Sequence, residues 1–431
     1  MTVRTVDKLL IGKAYFNSRV QEVAIAVDRG IIAGITKPSR APQASTVIKV
    51  EGKRIIFPGM VDIHVHMRDL RQEYKEDWYT GTLSALRGGV TLIIDMPNND
   101  PPMDSIDRIR EKRRIAESKA LVDYLFYLGY PKDLAEIERA KGEPIVGVKI
   151  YPEDFRRDLT PLILKCAEKG LSIIVHPEEP EELRKDKFGV KAELIGVKRI
   201  LKTLRNLNHV KVHVHLTHVS LREATEQIIL SRGEPSNITF DVTIHHIMLD
   251  HSAYEKLGGL AYVRPPLRSA YDREYLFNLV RKGEPNAIVT DHAPHTLEEK
   301  MKDEPLPGFP GLEIAFPILF TQILERRIPI SAVDLYSYRP AELFNIAKGS
   351  ISVGNDADLI IINYGVERKV EPEKFASKAK YSPFKGWRLR CDVEKVMIRG
   401  TFVYENGTIL VKKGYGRPGR RFKCRSSWNE A

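Results

Sequence analysis

Cysteine is scarce in this chain of 431 residues, which contains only Cys166, Cys391 and Cys424. The three cysteines lie far apart, form no C-x-x-C pair and are too few for a disulfide framework. A small scaffold held together by disulfides is therefore excluded. The sequence instead predicts a protein of a reducing compartment.

Long apolar runs are absent as well. No stretch approaches the roughly 18 apolar residues that a membrane-spanning helix requires. The segment MTVRTVDKLLIGKAYF is interrupted by charges before the apolar core of a signal peptide could form. We therefore expect no membrane partner and a cytoplasmic location.

The charge balance leaves two kinds of partner open. The chain has 68 lysines and arginines against 57 aspartates and glutamates, a formal net charge of +11, which would attract either nucleic acid or small anionic substrates. The basic segments 108–114 and 416–425 lack the aromatic platform of single-strand binders, and the first is interleaved with acidic residues. We expect a small anionic substrate and no nucleic-acid partner.

The middle of the chain alternates between compact apolar runs and stretches with helical spacing. Continuous runs of valine and isoleucine indicate strands buried on both faces, which is typical of a parallel sheet covered by helices. Eight such units predict the α/β class and a (β/α)8 barrel. The runs are IIFPGMVDIHVH, VTLIIDM, VDYLFYLGY, PIVGVKIY, LSIIVH, VKVHVHLTH, ITFDVTIH and NAIVTD.

The two ends of the chain have a different sequence pattern, in which apolar and polar residues alternate over short segments, as is typical of antiparallel strands. Neither end has enough apolar surface for a core of its own, so we expect both to pair into one small β-sandwich domain beside the barrel. The predicted parts are residues 1–53 and 350–431 for this domain and residues 54–349 for the barrel. A basic tail from residue 412 is expected to be loosely ordered.

Ionisable side chains stand at the ends of five predicted barrel strands. In a barrel these ends meet on one rim, and the spacing of His64 and His66 places both imidazoles on one face of a strand. Taken alone, such a pair could also be two half-buried strand histidines. Together the set predicts a metal centre, with His64, His66, Lys149, His176, His218 and Asp291 as its candidate ligands.

Lys149 needs a separate explanation, because an ammonium repels a divalent cation. Reaction with carbon dioxide would convert it to a carbamate, whose two oxygens could bridge two metals. The alternative is a lysine that reaches solvent or pairs with a carboxylate.

The motifs DIHVHMRD, GVKIY, HPEE, LTHVS, VRPPLRS, TDHAPHTLEEK and PGFPGLE resemble the amidohydrolase superfamily. Within it they are most similar to the dihydroorotases, including the dihydroorotase domain of the animal multifunctional pyrimidine-synthesis protein. The resemblance implies two zinc ions per chain, bridged by carboxylated Lys149. It places His64, His66 and Asp291 on one zinc, and His176 and His218 on the other.

The same resemblance implies a reaction and a substrate pocket. The reaction is the reversible cyclisation of N-carbamoyl-L-aspartate to dihydroorotate in pyrimidine biosynthesis, with Asp291 as the catalytic residue that moves the proton. Arg68 would hold the substrate carboxylate with a bidentate fork. The other implied substrate contacts are Asn98, Arg264, His295 and the backbone carbonyl of Pro307.

Other functions stay open at this point. One is another cyclic amidohydrolase, such as a hydantoinase, dihydropyrimidinase or allantoinase. The other is a catalytically silent scaffold of the pathway. Partner expectations are a homodimer or association with aspartate transcarbamoylase.

The chain departs from many relatives in two places. Asp69, Leu70 and Arg71 follow the first-strand motif where Glu-Pro-Gly is common, so the loop there is expected to differ in shape. Thr217 and Asp241 stand where some relatives carry ligands of an additional zinc, which argues against a third metal.

Overall fold

The computed structural model describes residues 5–186, 188–233 and 237–422. Within these ranges the strands form an eight-stranded parallel sheet, a separate nine-stranded sheet and a two-stranded ribbon. The predicted α/β fold class, a (β/α)8 barrel with a β-domain built from both chain ends, is confirmed.

The N-terminal strands belong to the nine-stranded sheet. The first two form an antiparallel hairpin in which Phe16 pairs with Arg19. The two linking residues have φ values of 52° and 57°, as a two-residue primed turn requires. The strands are β1 (Val6–Phe16), β2 (Arg19–Asp28), β3 (Ile31–Thr36), β4 (Ala44–Val50) and β5 (Arg54–Pro58).

The run predicted as the first barrel strand is in fact two strands. Its first half is β5, and its second half, which follows Gly59, opens the barrel. A Cβ at Gly59 would lie 2.2 Å from the Oγ1 of Thr91, so glycine permits a close approach at the junction. The prediction of one strand is wrong because residues 55–66 are all buried, which leaves no change of pattern at the break.

The barrel strands follow one another around the sheet in sequence order, and a parallel bridge between Val65 and His292 links the last strand to the first. Alternate residues of the strands fall into two apolar clusters, as expected for an interior face and a helix-covered face. The strands are β6 (Met60–Val65), β7 (Val90–Asp95), β8 (Asp123–Gly129), β9 (Ile145–Ile150), β10 (Ser172–Val175), β11 (His213–Leu216), β12 (Asn237–Thr243) and β13 (Ala287–Val289).

The C-terminal strands return to the nine-stranded sheet. The first of them pairs antiparallel with β5, opposite Pro58 at its residue Leu359, so both chain ends share one sheet as predicted. The domain limits at residues 53/54 and 349/350 stay predictions. The strands that join this sheet are β14 (Leu359–Asn363), β17 (Asp392–Ile398), β18 (Thr401–Glu405) and β19 (Thr408–Ile409), whereas β15 (Arg368–Lys369) and β16 (Arg388–Leu389) form the two-stranded ribbon.

The basic tail is more ordered than expected as far as residue 422. Its backbone bonds to the barrel, with Gly416 N donating to Ala120 O (2.9 Å) and Tyr124 N donating to Arg417 O (3.1 Å). These contacts lie beside the start of β8, which no apolar period in the tail could reveal. The rest of the predicted tail, including Cys424, lies outside the described residues.

The helices surround the barrel. Among the described residues no helix is long and apolar enough to cross a membrane.

The basic segment 108–114 lies on the second helix, where Arg110 pairs with Glu143 and Arg113 pairs with Glu117, both at 2.8 Å. The helices are α1 (Trp78–Arg87), α2 (Ile106–Lys119), α3 (Ala135–Arg139), α4 (Thr160–Lys169), α5 (Pro180–Lys185), α6 (Lys191–Asn206), α7 (Arg222–Leu230), α8 (Ile244–Met248), α9 (His251–Leu257), α10 (Ala270–Lys282), α11 (Leu297–Lys300), α12 (Ala315–Leu324) and α13 (Tyr338–Leu343).

Candidate active site

A cavity of about 270 Å³ opens at the carboxyl ends of the barrel strands. The predicted ligands lie on β6 and β9 or within two residues after the ends of β6, β10, β11 and β13, and all of them are buried. Five of the six line the cavity, namely His64, His66, His176, His218 and Asp291. The sixth, Lys149, is fully buried near them.

Two histidines of β6 converge on one carboxylate. Oδ1 of Asp291 lies 3.2 Å from Nε2 of His64 and 3.0 Å from Nε2 of His66. Nδ1 of His66 donates to Oδ1 of Asn98 at 2.6 Å, so a neutral His66 presents the lone pair of Nε2 to the carboxylate. A shared cation would stabilise this arrangement, and the three ligand atoms lie within 4.8 Å of one another.

The remaining histidines extend the cluster along the rim. The ring of His218 lies 5.0 Å from that of His64 and 4.3 Å from that of His176, centroid to centroid. Nδ1 of both His64 and His218 is buried without a hydrogen-bond partner among the described residues. Burial, and then neighbouring positive groups, hold the pKa of both rings well below the usual value. They are thus neutral imidazoles, the form that binds metals.

Lys149 neither reaches solvent nor pairs with any carboxylate that the structure describes, the two arrangements that were the alternative to a carbamate. Its side chain does not reach solvent, and its recorded hydrogen bond goes from Nζ to Oγ1 of Thr217 at 3.2 Å. Among the described residues it forms no ion pair with a carboxylate. Burial lowers its pKa to about 7, so much of the amine is neutral near physiological pH.

Glu178 is a site residue that the sequence reasoning missed. It is fully buried, and its Oε2 accepts a hydrogen bond from Nε2 of His176 at 2.6 Å, which leaves Nδ1 of that ring for another partner. Burial raises the pKa of Glu178, but the His176 hydrogen bond and nearby positive charges outweigh it and lower the pKa to about 2. The first acid after the histidine in HPEE was the available signal.

Arg264, a predicted substrate contact, lines the cavity but is also held by this carboxylate. Its Nε and Nη2 donate to Oε2 of Glu178 at 3.3 and 3.4 Å. Asn98 likewise lines the cavity while accepting the bond from His66. Arg264 therefore orients the Glu178 carboxylate and Asn98 orients the His66 ring, while both residues also line the cavity.

Arg68 lies in the same cavity without a carboxylate partner among the described residues. The residue is 6% exposed, its Nε donates to the carbonyl of Pro294 at 3.3 Å and its Nη2 lies 3.1 Å from Nε2 of His295. Burial lowers its pKa, yet an arginine stays charged. A buried unpaired guanidinium indicates an anion-binding site.

His295 and Pro307 complete this side of the cavity. Lys75 donates to Nδ1 of His295 at 3.3 Å, because an ammonium can only donate. Nε2 lies 3.0 Å from the Pro307 carbonyl, and it is also the nitrogen that Nη2 of Arg68 approaches at 3.1 Å. Lys75, which pairs with Glu299 at 2.8 Å, was not predicted from the sequence.

The loop after β6 has an unusual backbone. Arg68, Asp69 and Leu70 all have positive φ, between 53° and 59°. The buried Asp69 carboxylate accepts from the backbone N–H groups of Leu70 (2.9 Å) and Trp78 (3.1 Å) and from Lys119 (3.0 Å). These bonds stabilise the strained turn that aims Arg68 into the cavity.

Three further histidines lie in or just after barrel strands, His213 and His215 in β11 and His246 in α8. Nε2 of His215 lies 2.8 Å from Oδ2 of Asp241, whose Oδ1 accepts the backbone N–H of His218 at 2.5 Å. His213 and His246 bond to Thr239 Oγ1 and to Pro265 O. These contacts agree with a positioning role.

Known proteins are similar to this chain over most of its length. The model of the amidohydrolase family matches residues 55–403. A dihydroorotase of Methanosphaera stadtmanae is 36% identical over 389 residues, 84% of this chain and 88% of that protein. A dihydroorotase of Pyrococcus abyssi is 33% identical over 415 residues, 94% and 97% of the two chains.

Solved structures of hydantoinases are also similar to this chain over nearly its whole length. An L-hydantoinase (dihydropyrimidinase) from Arthrobacter aurescens superposes with a TM-score of 0.88 at 28% identity, covering 96% of this chain and 99% of that one. A D-hydantoinase from Thermus sp., at 23% identity and a TM-score of 0.85, shares the fold. The chain belongs to the amidohydrolase family, and within it to the group whose curated members are named dihydroorotase.

Proposed function

We propose that the chain is a dihydroorotase, which interconverts N-carbamoyl-L-aspartate and (S)-dihydroorotate in pyrimidine biosynthesis. The observation that carries this proposal is Arg68, a buried guanidinium without a carboxylate partner among the described residues, beside a cluster of candidate metal ligands. Dihydroorotate has a carboxylate next to its ring amide, so it supplies the missing charge. The curated relatives are named for the same activity.

We further propose two zinc ions per chain with carboxylated Lys149 as the bridging ligand. His64, His66 and Asp291 would hold one ion, and His176 and His218 the other. The buried neutral imidazoles and the Lys149 amine without a carboxylate partner support this set, because a neutral amine is the form that reacts with carbon dioxide. Bound zinc would polarise the ring carbonyl and lower the pKa of water.

Asp291 would be the catalytic residue that moves the proton. In ring opening it receives the proton of the attacking water and passes it to the departing ring nitrogen. In ring closure it removes the proton from the ureido nitrogen as that nitrogen attacks the side-chain carboxyl carbon, and water leaves. Its position 3.0 Å from His66 and 3.2 Å from His64 keeps the carboxylate at the centre of the cluster.

The substrate would be oriented by residues on the opposite side of the cavity. Arg68 would hold the carboxylate in a bidentate pair, with Asn98 and Arg264 adding a hydrogen bond and a second positive charge. His295 and the carbonyl of Pro307 would contact the ring amides. Because both ring nitrogens of His295 already contact protein groups, Lys75 at Nδ1 and Arg68 and Pro307 at Nε2, its ring is fixed before substrate binds.

Hydantoinase activity is the competing function, since the hydantoinase of Arthrobacter aurescens has the same architecture. Hydantoin and dihydrouracil lack the carboxylate, and either would leave Arg68 buried without a counter-ion. An unsatisfied buried charged group costs about 1–3 kcal/mol or more. The site therefore favours dihydroorotate, and its full set of candidate ligands argues against a silent scaffold.

The test is a comparison of kcat/KM for dihydroorotate, dihydrouracil, hydantoin and allantoin with the purified zinc-loaded enzyme. We expect dihydroorotate to be the best substrate. A higher kcat/KM for any of the other three would replace the proposal with that activity. Absence of turnover together with less than one zinc per chain would support the scaffold.

Location and assembly stay predictions. We propose a cytoplasmic enzyme that forms a homodimer or associates with aspartate transcarbamoylase. Light scattering of the enzyme alone and in a mixture with that protein distinguishes the two assemblies.

A further inference from the structure

Two loops on the barrel rim carry substrate contacts of the proposed dihydroorotase site. The loop after α9 carries Arg264, and the loop after α11 carries Pro307. They are 43 positions apart in sequence, yet their backbones meet where Gly308 N donates to Tyr262 O at 2.9 Å. Their separation sets the width of this side of the cavity.

Lys300, the last residue of α11, lies between the two loops. Its ammonium donates to the backbone carbonyls of Tyr262 (2.9 Å), Leu306 (2.8 Å) and Gly308 (2.7 Å). The side chain is 1% exposed, and among the described residues it forms no ion pair. An ammonium has three N–H groups, so the three carbonyls satisfy all of its donors, and the ring of Tyr381 lies 5.8 Å from Nζ.

Each of these carbonyls is close in sequence to a proposed substrate contact. Leu306 and Gly308 flank Pro307, and Tyr262 lies two residues before Arg264. We propose that Lys300 is a positioning residue that holds these two loops together and so sets the fit of the substrate ring. The inference rests on the proposed function only in assigning Pro307 and Arg264 to the substrate.

The packing around Lys300 leaves little freedom for another arrangement. A Cβ at Gly259 would lie 1.9 Å from the backbone oxygen of Lys300, and a Cβ at Gly308, where φ is +126°, would lie 2.5 Å from the oxygen of Ala293. Both loops thus approach α11 and β13 as closely as glycine allows. The hydroxyl of Tyr381 adds a bond to Gly308 O at 3.3 Å.

The test replaces Lys300 with methionine, which keeps the length of the side chain but has no donor. Three buried carbonyls then lose their partner, and we expect KM for dihydroorotate to rise about tenfold or more, with kcat and zinc content changed much less. Lys300→Gln, which keeps two N–H groups, should give an intermediate KM. It also serves if the methionine variant does not fold.

Arg339→Met is the matched control. Arg339 is a partly buried cation that likewise donates to backbone carbonyls, those of Gly283 (2.6 Å) and Pro285 (3.1 Å). These precede β13 and lie at the end of the barrel opposite the cavity. We expect lower stability in the control with an unchanged KM.

The outcomes separate the positioning role from a merely structural one. A KM within about twofold of wild type in both Lys300 variants, with only stability or active fraction reduced, would overturn the proposal. If wild type does not act on dihydroorotate, the proposed function fails. Lys300 is then tested with the cyclic amide that wild type does hydrolyse, and the same rise in KM is expected.

Discussion

Replacing Arg68 with methionine removes the buried guanidinium and keeps an apolar side chain of similar length. The structure records contacts for Nε and Nη2, so at least three of the five N–H groups are available to a ligand. A bidentate pair to a carboxylate uses two of them. Hydrogen bonds to charged groups contribute about 1.5–3 kcal/mol each, so we expect a loss of about 3–6 kcal/mol.

At 1.36 kcal/mol per tenfold change, this corresponds to a decrease of about 10²- to 10⁴-fold in kcat/KM for dihydroorotate. Dihydrouracil has the same ring without the carboxylate, so its kcat/KM should change little. The preference for dihydroorotate should therefore collapse in Arg68→Met. Steady-state assays of both substrates with both enzymes measure the change.

Stability should respond differently, because Arg68 has no compensating carboxylate among the described residues. Its removal should leave the free energy of unfolding unchanged or higher. Arg268 is the matched control, since it is equally buried but pairs with Glu193 at 3.0 Å and with Ser220 Oγ at 2.9 Å. Arg268→Met should lower the free energy of unfolding by about 3–5 kcal/mol.

Urea denaturation of the two variants measures this contrast. The reasoning is refuted if Arg68→Met keeps kcat/KM for dihydroorotate within about tenfold of wild type. It is refuted equally if that variant is destabilised as much as Arg268→Met.

Two further predictions concern charge. Burial and three neighbouring cations lower the pKa of His295 to about 2, so its ring gains a proton only as pH falls through that value. Because kcat/KM reports the free enzyme, His295→Gln should lower kcat/KM and keep the wild-type pH profile; an acid limb near pH 6.5 that disappears in the variant would contradict this. Lys348 pairs with Asp123 (2.9 Å), Asp356 (3.2 Å) and Asp358 (2.6 Å) at the end of the barrel away from the cavity. Lys348→Met leaves three buried carboxylates and should cost about 3–5 kcal/mol of stability in urea denaturation with unchanged KM, and retained stability would show that the network is dispensable.

Much of the fold could be predicted because each barrel strand is a separate apolar run bounded by polar residues. The exception is the run from residue 55 to residue 66, which crosses from one sheet to the other without leaving the buried interior. Burial on both sides of Gly59 removes the alternation that would mark a boundary. The ordered part of the tail escaped prediction for a related reason, since its contacts with β8 are made by backbone groups.

The candidate ligands could be predicted because a barrel brings all strand ends to one rim, so each position follows from the strand pattern alone. Glu178 and Lys300 could not be predicted in this way. Their partners lie in loops whose paths depend on tertiary packing, as the contact between Glu178 and Arg264 across 86 positions illustrates. Buried ionisable residues beside predicted ligands therefore need the structure before they can be given a role.

The most direct test of the metal centre is zinc analysis, paired with dihydroorotate turnover, of wild type and Lys149→Ala purified with zinc and bicarbonate. We predict two zinc ions per chain and turnover in wild type, with loss of both in the variant, because a methyl group supplies no bridging oxygens. Two zinc ions and full turnover in Lys149→Ala would contradict the assignment of Lys149 as the bridge.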